Sequence, residues 1–228
     1  MSVTIPESGL YCLYLGDTQG KAQVLGNRGS VLEGQERYEE AVDAYKLLSG
    51  LIVPRPIGWI GSRSADGINN LAPYSFFNAV AATPPTVMFA PTGQPVARKD
   101  TLANVRETGV FTVNIGNYDL GPAMNETSGT HPPEVDEFEV AGLTVREAEA
   151  IDAPCVAEAP ATFECKVLQI VDIGQAPMGS SVVFGEVLAF DVADRLLDGT
   201  RALLTSAVAG LSTFYPEAKE IEDPAVRR

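Results

Sequence analysis

The chain has 228 residues, of which 45% are hydrophobic, so it is long enough for one domain with a buried core. Thirty acidic residues against sixteen basic ones give a formal charge of −14, which disfavours nucleic acid and anionic membranes as partners. No apolar run approaches the roughly 20 residues of a membrane span. The N-terminus has no basic region followed by an apolar block, so no signal peptide is expected.

The three cysteines, Cys12, Cys155 and Cys165, are odd in number and follow no spacing pattern. They are typical of reduced thiols in a cytoplasmic protein. The single histidine, His131, argues against a histidine-rich metal site, so no metal is expected. His131 lies in a proline-rich loop, where a surface residue without a role is the default interpretation. The alternative is a residue at a pocket mouth that donates a hydrogen bond or a proton, which makes His131 a weak catalytic candidate.

Glycines interrupt every apolar run of residues 1–35, so the sequence predicts an extension there, with disorder as one interpretation. Residues 36–228 are then the folded domain. Apolar residues at helical spacing predict a helix over Glu36–Leu48 that Gly50 ends. Leu51–Val53 is interpreted as the first strand.

The next segments have the pattern of antiparallel strands joined by tight turns. Ala65-Asp66-Gly67 is a hairpin signal between Ile57–Ser62 and Asn69–Phe77, and Pro84-Pro85 turns the chain into Thr86–Ala90. The remaining predicted elements are short helices at Asp100–Glu107 and Asp119–Glu126 and strands at Val110–Ile115, Ala161–Ile173 and Ser181–Val192, with Ala202–Leu204 as a further candidate. About seven strands with few helices favour a mainly β fold, an antiparallel barrel and not a doubly wound sheet.

The cluster Arg98-Lys99-Asp100-Thr101 opens a predicted helix and is the best candidate for a phosphate site. Unpaired N–H groups and the positive end of a helix dipole attract anions, and Arg98 and Lys99 add charge. An equally good interpretation is a solvated charge pair before a helix cap. The chain has neither G-x-G-x-x-G after a strand nor a P-loop, so a bound nucleotide is held in another way.

Polar residues in an apolar strand mark a second candidate region. Ser75 and Asn78 flank Phe76 and Phe77, and an Asn side chain suits the rim of a heteroaromatic ring. The alternative is an Asn in a turn at the end of the strand. Trp59, the single tryptophan, is expected either to stack on a planar ligand or, by the safer interpretation, to fill the core.

Five motifs, in this order, resemble those of the flavin reductase-like proteins with an FMN-binding split barrel, the branch of flavoredoxin and the reductase components of two-component monooxygenases. The motifs are Val53–Trp59, Asp66–Asn78, Pro84–Phe89, Arg98–Leu102 and Val113-Asn114. The resemblance covers about Tyr45 to Phe190, and residues 1–35 lie outside it.

This resemblance implies a split β-barrel, with Greek-key-like antiparallel strands, that forms a homodimer with one FMN near each subunit interface. It implies that the Asn70–Asn78 segment follows the flavin ring and that Arg98–Thr101 holds the phosphate. The expected cofactor-binding residues are Trp59, Asn70, Ala72, Pro73, Ser75, Phe77, Asn78, Arg98, Lys99, Asp100 and Thr101. The expected activity is an NAD(P)H:flavin reductase, with a monooxygenase as a partner. The alternatives are an FMN-dependent oxygenase of a small organic substrate and a non-catalytic flavin electron carrier.

Overall fold

A computed structural model describes residues 42, 44–92, 100–174 and 179–197. The chain divides into two compact units, Met1–Val53 and Pro54–Arg228. The described part of the first unit contains the helix α1, residues 44–51. None of the helices in the described ranges has the length and apolar character that crossing a membrane requires.

The described residues of the second unit form a seven-stranded sheet with the strand order β2-β1-β5-β8-β9-β4-β3. Its strands are β1 Gly58–Arg63, β2 Asn69–Tyr74, β3 Phe77–Ala82, β4 Pro85–Phe89, β5 Val110–Ile115, β8 Ala161–Ile173 and β9 Ser180–Val192. Each pair of neighbouring strands is antiparallel. A separate two-stranded hairpin pairs β6 Val145–Glu147 with β7 Pro154–Val156. The mainly β, antiparallel fold predicted from the sequence is therefore confirmed.

The two edge strands, β2 and β3, are consecutive in the chain, with only Ser75 and Phe76 between them. Because consecutive Cα atoms are about 3.8 Å apart, Tyr74 and Phe77 lie within about 11 Å of each other. The sheet therefore curls until its edges approach, yet no ladder joins β2 to β3, both of which are fully described. We call this gap, with the linking residues Ser75 and Phe76, the seam.

Side chains from both edges of the sheet share one core inside the curl. A Cβ atom at Gly58 of β1 would lie 2.6 Å from Cδ2 of Phe77 of β3, so glycine lets the ring pack against β1. The rings of Tyr74 and Phe89 are 5.2 Å apart, and those of Phe89 and Phe111 are 5.1 Å apart. The other buried members of this core are Ile60, Val87, Leu102, Val105, Val113, Cys165, Val183 and Val187.

A second apolar cluster covers the opposite face of β1 and β2. Trp59 alternates with Ile60 along β1, so its side chain faces away from the first core. The cluster packs Trp59 against Leu71, Met124, Phe138 and Val156. The helices that cover it are α3 Gly121–Glu126, which follows a 3-10 turn at Tyr118–Leu120, and α4 Glu137–Val140.

The helix α2, Asp100–Thr108, packs on β1 and β2. It buries Thr101, Leu102, Asn104 and Val105, and Gly109 follows it with a φ of 73°. Glycine adopts this left-handed conformation without strain, so the end of α2 at Gly109 has a physical cause. A further 3-10 turn, Asp194–Leu196, follows β9.

Two local predictions are wrong. Leu51–Val53 is not a strand, because α1 continues through Gly50 to residue 51 and Ile52 N donates to Leu48 O at 3.0 Å. A short apolar run has too little periodicity to separate strand from helix. Asn69–Phe77 is not one strand either, because it breaks at the seam and continues as β3 on the other edge.

Three other predictions fall outside the described residues. They are the extension over residues 1–35, the helix before residue 42 and the candidate strand Ala202–Leu204. The boundary between residues 35 and 36 stays a prediction.

Candidate functional site

Three hydrogen bonds between side chains fasten the start of α2 to the edge strand β2 and its neighbour β1. The Thr101 hydroxyl donates to Asn70 Oδ1 at 2.6 Å. The Ser62 hydroxyl donates to the same oxygen at 3.2 Å and accepts from Asn104 Nδ2 at 3.1 Å. All four side chains are buried. Because a broken buried hydrogen bond leaves an unsatisfied polar group, this set holds the first turns of α2 in one position.

Glu137, the first residue of α4, extends this set. Its carboxylate accepts from Asn70 Nδ2 at 3.0 Å and from the backbone N–H of Leu71 at 3.2 Å. β2 is an edge strand, so no strand lies on its outer side to accept a hydrogen bond from the Leu71 N–H. The Glu137 carboxylate accepts that hydrogen bond in place of a strand. Burial raises the pKa of Glu137, which the hydrogen bonds from Leu71 and Asn70 oppose. We call Ser62, Asn70, Thr101, Asn104 and Glu137 the buried polar network.

Tyr74, at the end of β2, brings a phenol to the same helix turn. Burial raises its pKa from 10.0 to about 12, while a hydrogen bond with Thr101 lowers it, and Asp100 and Glu137 raise it further. The phenol of Tyr74 therefore lies beside Thr101, close to the first turn of α2 and to the Glu137 carboxylate.

Trp59 lies in the core and not at a surface, as the safer interpretation expected. Its side chain has 0% exposure, and its indole N–H donates to the Thr127 hydroxyl at 2.8 Å. An enclosed ring has no face on which a ligand can stack, so core filling accounts for the Trp59 side chain, and any other part in cofactor binding stays a prediction. Asn114 of the resembling motif is also internal, since it joins Trp59 O to Val156 N by hydrogen bonds of 3.1 and 2.8 Å.

The predicted ring-binding residues divide between the core and the surface. Phe77 is 8% exposed and packs in the first core, and Ala72 and Pro73 of β2 are half-buried. Ser75 is half-buried in the seam, and Asn78 is exposed at the start of β3. Asn78 Oδ1 accepts from Ala79 N at 2.9 Å, as expected for an Asn beside a bend.

Two polar groups near the seam have hydrogen-bonding capacity that the described residues do not use. Neither the Ser75 hydroxyl nor Asn78 Nδ2 has a hydrogen bond to a residue in the described ranges. Such groups suit a ligand with a polar rim. The seam is therefore the part of the predicted site that has donors to offer.

The predicted phosphate cluster is described only in part. Arg98 and Lys99 lie outside the described residues, whereas Asp100 is half-buried at the first position of α2. Thr101 is 1% exposed and its only hydroxyl hydrogen is used by Asn70, so it cannot donate that hydrogen to a phosphate in this conformation. The start of an α-helix presents backbone N–H groups and the positive end of the helix dipole, so the first turn of α2 has the character of an anion site.

His131 is half-buried in a loop, and its Nε2 lies 3.4 Å from Glu126 O. The contact is local, five residues along the chain, and it connects His131 to none of the residues of the buried polar network. The interpretation as a loop residue without a catalytic role accounts for it.

Sequence reasoning missed Glu137 because it predicted no helix between the Asp119–Glu126 helix and the Ala161–Ile173 strand. Asp136 is the N-cap of α4, where its Oδ1 accepts from Phe138 N at 2.8 Å. An Asp followed by an acidic first turn and a large apolar residue is a helix-start signal that could have found α4. Nothing local indicates that Glu137 meets β2, since it is 67 residues from Asn70.

The curled antiparallel sheet with an open seam defines the class as split β-barrel proteins. The family model described as "Flavin reductase like domain" matches residues 49–208. The chain is 43% identical to an uncharacterized protein of Aquifex aeolicus over 155 residues, which are 68% of this chain and 77% of that protein.

Two solved structures extend the comparison. Nitrilotriacetate monooxygenase component B from Bacillus cereus has a TM-score of 0.68 and 34% identity, covering 76% of this chain and 88% of that one. The 2-nitrobenzoate 2-nitroreductase of Pseudomonas fluorescens has a TM-score of 0.64 and 31% identity, covering 71% of this chain and 77% of that one. The chain belongs to the flavin reductase-like family, as the sequence motifs indicate.

Proposed function

We propose that the protein is an FMN-binding oxidoreductase, an NAD(P)H:flavin reductase. The observation that carries the proposal is that β2 connects both halves of the predicted site. Its end continues into the seam with Ser75, and its side chain Asn70 is bonded to the first turn of α2. A ring at the seam and a phosphate at the start of α2 therefore suit one elongated ligand with a flat ring at one end and an anion at the other.

The residues fit FMN in their donor chemistry. The Ser75 hydroxyl and Asn78 Nδ2 are donors for the polar rim of the ring or the ribityl chain. The first N–H groups of α2, with the cationic pair Arg98 and Lys99, are donors for the phosphate. Binding is the role of Ser75, Asn78 and the Arg98–Thr101 segment, while Phe77 packs in the first core and Trp59 in the second apolar cluster.

A bound FMN would supply the redox chemistry, as the acceptor of a hydride from NADH or NADPH. The role of the protein is to hold the flavin ring where the nicotinamide ring can lie against it and to bind the phosphate end. No described side chain is needed as an acid or base for hydride transfer, so no residue is proposed as catalytic.

The test is a stopped-flow experiment on the purified full chain. We expect a yellow protein with about one FMN per chain, whose flavin absorbance bleaches rapidly on anaerobic mixing with NADH or NADPH and returns when free FMN is added. A colourless protein that fails to quench the fluorescence of added FMN would contradict the flavin site. A flavin reduced only slowly by both nicotinamides would contradict the reductase and favour an electron carrier.

The alternative of an oxygenase would give an oxygen-dependent product from a small organic substrate. The two similar structures favour the reductase, because one is named a nitroreductase and the other a monooxygenase component B. The second name supports the further proposal that a separate monooxygenase receives the reduced flavin.

A homodimer is also proposed, together with the cytoplasm as the compartment. Exposed apolar side chains on β8 and β9 support the dimer, since Leu168 is 49%, Leu188 47% and Phe190 57% exposed. A second copy that covers them would remove this apolar surface from water. The cytoplasm is supported by the unpatterned cysteines, of which Cys155 and Cys165 are free.

A further inference from the structure

Three members of the buried polar network, Thr101, Asn70 and Glu137, belong to elements that are remote in sequence. Thr101 is 31 residues from Asn70, and Asn70 is 67 residues from Glu137. Thr101 belongs to α2, Asn70 to β2 and Glu137 to α4. The position of the start of α2 relative to β2 therefore depends on a carboxylate from a third element.

None of the three side chains is available to a ligand. Their exposed fractions are 1% for Thr101, 6% for Asn70 and 5% for Glu137. Each also uses its hydrogen-bonding groups inside the protein, and a carboxylate would in any case repel a phosphate. Any influence they have on ligand binding must act through the position of the backbone.

We propose that Glu137, through Asn70 and Thr101, is a positioning residue that holds the first turn of α2 for the phosphate end of the flavin. The proposal rests on the FMN-binding function proposed above. Thr101 is then a link between Asn70 and the helix, and the phosphate meets the backbone N–H groups of the first turn of α2. Hydrogen bonds contribute to affinity only when donors are held at bonding geometry, so a displaced turn weakens phosphate binding specifically.

Glu137→Gln is a sharp test because it keeps the volume of the side chain and removes one acceptor. The carboxylate accepts from two donors, Asn70 Nδ2 and Leu71 N. Gln has only one oxygen, so its NH2 group faces one of these donors. Thr101→Val removes the hydroxyl at constant shape, and Thr101→Ser keeps it.

The chain offers a matched control in Glu164 of β8. Glu164 is 2% exposed, and its carboxylate accepts from Glu149 N at 3.0 Å and from Ala150 N at 2.6 Å. It is thus a buried carboxylate with two N–H donors, like Glu137, but it has no bond to α2. Glu164→Gln reports what the loss of such an acceptor does to stability alone.

The measurement is a fluorescence titration of each full-chain variant, stripped of flavin, with FMN and with riboflavin, which lacks the phosphate. We expect Glu137→Gln and Thr101→Val each to weaken FMN about tenfold and riboflavin less than about threefold. Thr101→Ser should match the wild type. The double variant should also lose about tenfold, because both changes break one network. Glu164→Gln should lower thermal stability and leave the ratio of FMN affinity to riboflavin affinity unchanged.

Two results would overturn the inference. One is a ratio of FMN affinity to riboflavin affinity in Glu137→Gln that equals that of the wild type. The other is a loss of FMN affinity in the double variant that equals the product of the two single losses, which would indicate a direct phosphate contact by Thr101. If Glu137→Gln does not fold, the FMN affinities of Thr101→Val and Thr101→Ser decide whether the inference holds.

Lys99→Ala separates this inference from the proposed function. We expect it to weaken FMN about tenfold to a hundredfold, since a charge-assisted bond is worth about 1.5–3 kcal/mol, and riboflavin hardly at all. If Lys99→Ala weakens FMN more than riboflavin and Glu137→Gln does not, only the positioning role of Glu137 is wrong. A wild type that binds neither ligand overturns the flavin function, and a Lys99→Ala variant that weakens both alike overturns the phosphate placement.

Discussion

Buried polar side chains explain why individual residues in the family motifs are polar. Asn114 is 0% exposed and bonds to Trp59 O and Val156 N, so it joins β5 to β1 and β7. Asn70 and Thr101 join β2 to α2 in the same manner. Each of these residues satisfies backbone or side-chain groups that the core would otherwise leave unpaired. A buried polar residue in a motif can therefore fix the positions of the elements that form a site without contacting the ligand.

Tyr74 provides a test at the residue scale. Because burial raises its pKa from 10.0 to about 12, the unfolded chain loses the phenol proton at lower pH than the folded protein. The free energy of unfolding therefore falls as pH rises from 10 towards 12. We expect the wild type to lose about 1.4 kcal/mol relative to Tyr74→Phe between pH 8 and pH 11, at about 1.36 kcal/mol per pKa unit.

Urea unfolding at pH 8, 10 and 11 measures this difference. Tyr118→Phe is the control, since Tyr118 is 70% exposed, and it should follow the wild type at each pH. A constant difference between the wild type and Tyr74→Phe over this range would show that Tyr74 is not held as a buried phenol.

At the scale of elements, the seam depends on the contact between β3 and β1. The Phe77 ring lies where a Cβ atom of residue 58 would be, with Cδ2 at 2.6 Å and Cγ at 2.8 Å. Gly58→Ala forces either the ring or β1 to move, and overpacking of this kind costs about 1–3 kcal/mol. We expect a lower free energy of unfolding in Gly58→Ala, measured by urea denaturation.

The double variant Gly58→Ala/Phe77→Leu tests the cause of that loss. The smaller side chain removes the clash, so the double variant should lose less than the sum of the two single changes. Gly50→Ala is the control, because a Cβ there has nothing within 4 Å, and it should not destabilise the protein. Strict additivity at positions 58 and 77 would show that the two residues do not pack as described.

At the scale of the whole molecule, exposed apolar side chains favour self-association. Leu188 and Phe190 lie near the end of β9, and the Phe190 ring meets Phe163 at 5.0 Å while remaining 57% exposed. We expect light scattering at micromolar concentration to give twice the chain mass of 24.2 kDa. Leu188→Glu should shift this mass towards the monomer, because burying a charge at an interface is unfavourable. A wild-type monomer at that concentration would contradict the dimer.

The sequence by itself determined the elements with strong periodicity and clear stops. β5 and β8 have their predicted bounds, β9 begins at Ser180 instead of Ser181, and α2 was predicted one residue short. Alternation of apolar residues, β-branched side chains and turn residues such as Gly67 and Gly109 act over a few neighbours, so they can be recognised locally. The ordered motifs were sufficient for the family.

Only the tertiary structure decided which of the motif residues are buried and which are exposed. Periodicity suggested one strand over Asn69–Phe77, whereas the chain turns at Ser75 because β2 and β3 lie on opposite edges of a curled sheet. Thr101 and Asn70, which were predicted to bind the cofactor, bond to each other through their side chains, and Glu137 was not predicted at all. Their burial depends on α2 and α4 meeting β2, and contacts between residues 31 and 67 positions apart leave no mark in local sequence patterns.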